Sequence, residues 1–101
     1  MSAMVLTLLV PMALKDDVIT AMLAHEPTAR TGFTAREVEG YGRDVDYDSI
    51  VEQVRGHTLS VEIIVTAEAA ELRALLDALG DELAGRGVRW RIVAATAAGA
   101  L

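Results

Sequence analysis

Met4-Val-Leu-Thr-Leu-Leu-Val10 is an unbroken apolar run of strand length, closed by Pro11. A run of this kind, ended by a turn residue, fits a strand buried on both faces. Alternation places Val5 and Leu9 on one face and Leu6, Leu8 and Val10 on the other. Pro11 is tolerated in the first turn of a helix. Leu14, Val18, Ala21 and Met22 then recur at helical spacing, with Lys15, Asp16 and Asp17 on the other side. Glu26-Pro27-Thr28 is expected to end this helix, because the residue before a proline is pushed out of the helical region.

Working outward, Thr31 to Gly40 reads as a second strand. Phe33, Ala35, Glu37 and Glu39 alternate with Thr34, Arg36 and Val38, so neither face is cleanly apolar. Gly40-Tyr-Gly42 breaks it. Arg43 to Gly56 is polar and irregular, with a short helical turn expected over Ser49 to Val54, and such a stretch in so small a domain is usually functional or mobile. Leu59-Ser-Val-Glu-Ile-Ile-Val65 reads as a third strand, with Thr66 expected as the N-cap of a helix and Glu68 and Glu71 in its first turn. Leu72, Leu75, Leu76, Leu79 and Leu83 mark one helical face, and Gly85 and Gly87 end it. Val88, Trp90 and Ile92 alternate with Arg89, Arg91 and Val93 in a fourth strand, which sets Trp90 towards the core. Ala94 to Leu101 is a featureless tail of mostly small residues.

The order is strand, helix, strand, strand, helix, strand, the split βαβ plan. The expected class is α+β: a ferredoxin-like βαββαβ sandwich, residues 1–101 forming one domain, with an antiparallel sheet and two helices on one face. Right-handed crossovers put the first and third strands in the centre and the second and fourth at the edges. Because the first strand is apolar on both faces, the face without helices calls for another subunit.

The composition narrows function. The chain has 101 residues, 52% apolar and 24% charged, with nine basic against fifteen acidic residues and a formal charge of −6. That excludes disorder and disfavours nucleic acid as a partner. With no cysteine, thiolate metal sites, iron–sulfur ligation and cysteine nucleophiles are excluded. The apolar segment Ala3 to Leu14 is too short to span a bilayer, and its first basic residue, Lys15, follows it rather than leading it. The expectation is a cytoplasmic protein without membrane insertion.

Candidate chemistry is sparse. Asp44, Asp46 and Asp48 alternate as cation ligands can, but Ser49 and Arg55 stand where a calcium loop needs glycine and glutamate, so a solvated acidic loop is favoured. His25 and His57 lack spaced partners, and Met1, Met4, Met12 and Met22 form no tight cluster, so no metal or other cofactor is expected. No nucleophile or histidine–carboxylate constellation appears, and the chain reads as a non-enzyme. Arg89 and Arg91 project from one face of an edge strand, Arg86 precedes them, and Arg43 and Arg55 flank the long loop. Two readings of these arginines stand level: an anion-binding cleft between subunits, or ion pairs with the excess of acids. Glu52 and Gln53 would close that cleft or pair between subunits.

Gly32-Phe-Thr-Ala-Arg-Glu-Val-Glu-Gly-Tyr-Gly-Arg43 resembles the second strand and loop entrance of PII nitrogen-regulatory proteins. Glu52-Gln-Val-Arg-Gly56 and Gly87-Val-Arg-Trp-Arg-Ile92 resemble a shorter PII-like branch, related in fold to the CutA divalent-cation tolerance proteins. The resemblance implies a homotrimer with sheets turned inward, a nucleotide or small anion bound between subunits, and a loop that engages a transporter or enzyme. Carried onto this chain, it implies effector contacts from Gly40, Gly42, Arg43, Arg55, Arg86, Gly87, Arg89 and Arg91. It likewise implies a partner-binding loop over 40–58 that includes Asp44, Asp46, Tyr47, Asp48, Glu52 and Gln53. Two departures stand out. Ala84-Gly-Arg-Gly-Val88 is shorter than the PII glycine loop, with valine in place of its lysine, and the motif around a modified loop tyrosine is missing at Tyr47. Two other functions remain: a CutA-like metal-binding protein serving heavy-metal tolerance or efflux, and a small ferredoxin-like enzyme.

Overall fold

The computed structural model describes residues 2–42 and 58–101. Four strands, β1 (Ala3–Pro11), β2 (Thr34–Gly40), β3 (Thr58–Glu68) and β4 (Arg89–Ala94), form one antiparallel sheet in the order β2-β3-β1-β4. The two apolar strands lie in the centre and the two charged ones at the edges, where charge discourages further pairing. Leu6 pairs with Val65 and Leu8 with Ile63, so the buried faces of β1 and β3 coincide.

Three helices cover that face: α1 (Lys15–Ala24), α2 (Glu26–Thr31) and α3 (Ala69–Leu83). A short 3-10 turn, Met12–Leu14, links β1 to α1. The core joins Leu6, Leu8 and Val10 of β1 to Val61, Ile63 and Val65 of β3 beneath Val18, Met22, Leu72, Leu75, Leu79 and Leu83. Each fully buried aliphatic side chain contributes about 1.5–3 kcal/mol over its exposed state.

Four local expectations need correction. Pro27 does not terminate helical structure; it sits in the first turn of α2, where its missing N–H has no partner to lose. The break falls one residue before Glu26, at His25, which is extended (ψ 106°). Residues 31–33 are consequently not strand, and β2 begins at Thr34. Thr66 does not cap α3, because β3 runs on to Glu68, which takes the N-cap position. The two helices expected are thus three. The helical turn expected over Ser49 to Val54 lies outside the described residues.

Candidate functional site

The sheet has a second face that no helix covers. Pairing registers lay it out in rows: Arg36, Glu62, Leu9 and Arg89 across one, Thr34, Ile64, Thr7 and Arg91 across the next, and Thr66, Val5 and Val93 beyond. Val5, Leu9 and Ile64 are only half-buried there, whereas Leu6, Leu8 and Val10 on the opposite side are fully enclosed. The anticipated division of β1 into two apolar faces therefore holds.

A recess of about 320 Å3 opens at the β4 side of this face, lined by Thr7, Leu9, Glu62, Arg89, Arg91 and the edge of Trp90. Arg36 neutralises Glu62 through Nε (3.0 Å) and a terminal nitrogen (2.9 Å), both to Oε1. No carboxylate pairs with Arg89 or Arg91 among the described residues. Two residues apart on one strand, these arginines lie about 7 Å from each other. Two guanidinium forks and a threonine hydroxyl, beside the apolar Leu9, can donate hydrogen bonds to a small carboxylate, carbonate or phosphate. Nothing in the recess resembles a nucleophile with its base.

Arg86 takes another course. It reaches back to Asp17 on α1 (3.9 Å), and so turns to the helix layer rather than to Arg89 and Arg91. Gly87 holds φ at +86°, a conformation that favours glycine, and a Cβ there would touch Pro11 at 3.5 Å. Gly40 ends β2 with Thr58 opposite; a Cβ there would stand 2.6 Å from the Thr58 hydroxyl. Gly42 is exposed. The loop mouth and the glycine turn share one end of the sheet but opposite edges, three strand spacings or roughly 14 Å apart. A single chain does not bring them together.

His25 is tied down locally: its Nδ1 lies 3.1 Å from the hydroxyl of Thr28, which is itself buried. Among the described residues no cluster of three histidine or carboxylate side chains could hold a metal. Trp90 shares a face with Ile92 as expected, yet it is not a core residue. It is 49% exposed, with the Arg73 guanidinium 5.5 Å from its ring centroid. The cause is position: β4 is an edge strand, and α3 covers Leu8 beside it but not the outer rim. Arg43, Asp44, Asp46, Tyr47, Asp48, Glu52, Gln53, Arg55 and His57 lie outside the described residues, as does Met1. Sequence reading missed Thr7, Leu9 and the Arg36–Glu62 pair as neighbours of the arginines. The β1–β4 and β1–β3 registers bring them together, and no local motif encodes those.

This architecture is that of the PII-like α+β proteins. A solved structure of CPII, a nitrogen regulatory PII-like protein from Thiomonas intermedia K12 bound to ADP, AMP and bicarbonate, superposes with a TM-score of 0.69 at 12% identity, covering 100% of this chain and 98% of that one. The chain belongs to DUF3240, a family of proteins of unknown function, whose model matches residues 1–101. A crystal structure of a DUF3240 family protein from Shewanella baltica OS155 superposes with a TM-score of 0.75 at 21% identity, again covering 100% of this chain and 98% of that one. No curated protein matches the sequence. Among the described residues, no helix is long and apolar enough to cross a membrane.

Proposed function

We propose that this protein is a non-catalytic PII-like adaptor: a trimer that binds a small anionic effector or nucleotide between subunits and engages a transporter or enzyme through the loop over 40–58. The observation that carries the reading is the couple Arg89 and Arg91, which no carboxylate of the described residues pairs, set beside Thr7 and Leu9 on the sheet face that no described helix covers. In an acidic chain, arginines that no carboxylate among the described residues neutralises are a reserved positive charge. If the open faces of three copies turn inward, the β4 edge of one chain approaches the loop mouth of another, and Gly40, Gly42 and the arginines then border one cleft. The nucleotides and bicarbonate bound by CPII define the ligand classes to try first.

Isothermal calorimetry of the purified protein with ADP, AMP, bicarbonate and inorganic phosphate tests this. Binding of at least one of them is expected, and the double variant Arg89→Ala/Arg91→Ala should weaken it about tenfold or more, since each charge-assisted hydrogen bond contributes about 1.5–3 kcal/mol. If none of the four releases or absorbs heat, or if the double variant binds as tightly as the parent, the effector role fails.

A further inference from the structure

The flank of α3 that faces β4 carries Arg73, Leu76, Gly80 and Ala84, spaced three and four residues apart. Between this flank and β4 runs an apolar groove of about 250 Å3, with Leu8 in its floor and Val88 and Trp90 in its wall. Two features set it apart. Trp90 lies on the helix-covered side of the sheet and still leaves 49% of its surface open. Gly80 stands inside a 15-residue helix, where glycine weakens the structure relative to alanine. Yet a Cβ at Gly80 would meet nothing within 4 Å. Packing among the described residues gives no reason for the missing side chain. A glycine at the lip of an apolar groove suits a foreign backbone that comes close.

The same chain carries a segment that fits. Residues 95–101, Ala-Thr-Ala-Ala-Gly-Ala-Leu, carry no charged side chain. They leave the sheet where the Ala95 N–H donates to the Ala3 carbonyl (3.1 Å), and from Thr96 onward every residue is exposed, Leu101 most of all. Extended, such an arm reaches about 23 Å, and the groove between Leu76 and Ala84 runs about 12 Å along α3. In its own chain the arm departs at the Met4–Ala94 end of the sheet, while the groove opens towards Gly85 at the other end.

We propose that residues 95–101 of one copy lie in the α3–β4 groove of a second copy, with the small residues along Ala84 and Leu101 seated between Gly80 and Trp90. The arm and the groove are each apolar and uncovered within one chain, and each supplies the surface the other lacks. This goes beyond the effector reading, since it needs two copies and no ligand.

The absence of cysteine makes the test clean. Chains carrying Leu101→Cys are mixed with chains carrying Gly80→Cys and oxidised mildly; a Thr20→Cys chain, altered on the exposed side of α1, replaces Leu101→Cys in the control. A disulfide-linked dimer is expected in the first mixture and not in the second. Hydrogen exchange of the parent gives a second readout: amides 96–101 should exchange at least tenfold slower than in an unstructured peptide. Gly80→Leu, whose Cβ meets no described atom within 4 Å and whose longer side chain would occupy the groove, should remove that protection. A protein that is oligomeric by light scattering but gives no Leu101–Gly80 cross-link overturns the arm while leaving the trimer intact. Unprotected amides, or a chain that never associates, overturn it as well.

Discussion

Gly40 shows how narrow the tolerance is where β2 meets the loop mouth. Its missing Cβ makes room for the hydroxyl of Thr58, a residue only 8% exposed on the paired strand. Gly40→Ala would force that hydroxyl or the backbone to move, and overpacking of this kind typically costs about 1–3 kcal/mol. Urea unfolding should register the loss. The double variant Gly40→Ala/Thr58→Ala should recover a good part of it, because removing the hydroxyl restores the space; strict additivity of the two changes would refute the steric account. Residue-level reading of the sequence did identify Gly40 as a break, but the need for glycine comes from Thr58, eighteen positions away in the chain. Trp90 teaches the same lesson in reverse. Alternation correctly assigned its face, and nothing in the alternation said that the face runs out at the rim of the sheet.

At the scale of elements, α3 is the best-encoded piece of the molecule. Leu72, Leu75, Leu79 and Leu83 are all buried, as their spacing requires, and Leu76 lies on the flank. Leu75 is fully enclosed, so Leu75→Ala removes apolar contacts and leaves a cavity at once. Such truncations cost about 2–5 kcal/mol, to be read from the urea midpoint at unchanged slope. A loss below 1 kcal/mol would mean that α3 packs differently. The segment between β1 and β2 was harder to read. Pro27 does not stop the helix: α1 ends at Ala24, and the chain restarts a helix around that proline, aided by Ala29 N–H to His25 carbonyl (2.9 Å) and the His25–Thr28 contact. Whether a proline ends one helix or begins the next depends on what the following residues pack against, and buried Thr28 decides for the second.

At the scale of the whole molecule, the uncovered sheet face is the governing feature. Val5, Leu9 and Ile64 lie there among Arg36, Glu62, Arg89 and Arg91, apolar enough to join another copy and charged enough to hold an anion. Val5 is half-buried between Thr66 and Val93, away from the recess. Val5→Glu should therefore leave the single chain folded while charging the surface that copies would share. Light scattering is expected to give three chains' mass for the parent and one for the variant, with far-ultraviolet circular dichroism unchanged. A parent that is monomeric, or a variant that stays trimeric, would refute the inward-facing arrangement.

Sequence alone determined the four strands and their order, the apolar faces of β1, β3 and α3, and the placing of charge at the sheet edges, because period and hydrophobicity are local properties that any compact solution must satisfy. It also brought the PII-like fold into view, most specifically through one short stretch at the end of β2. The tertiary structure decided which side chains become neighbours across strands: Thr7 and Leu9 beside Arg91 and Arg89, Arg36 clasping Glu62, Arg86 turned away to Asp17. Those contacts depend on strand register and on where the helix layer stops. Both are fixed by the simultaneous packing of distant segments, so no single window of sequence contains them.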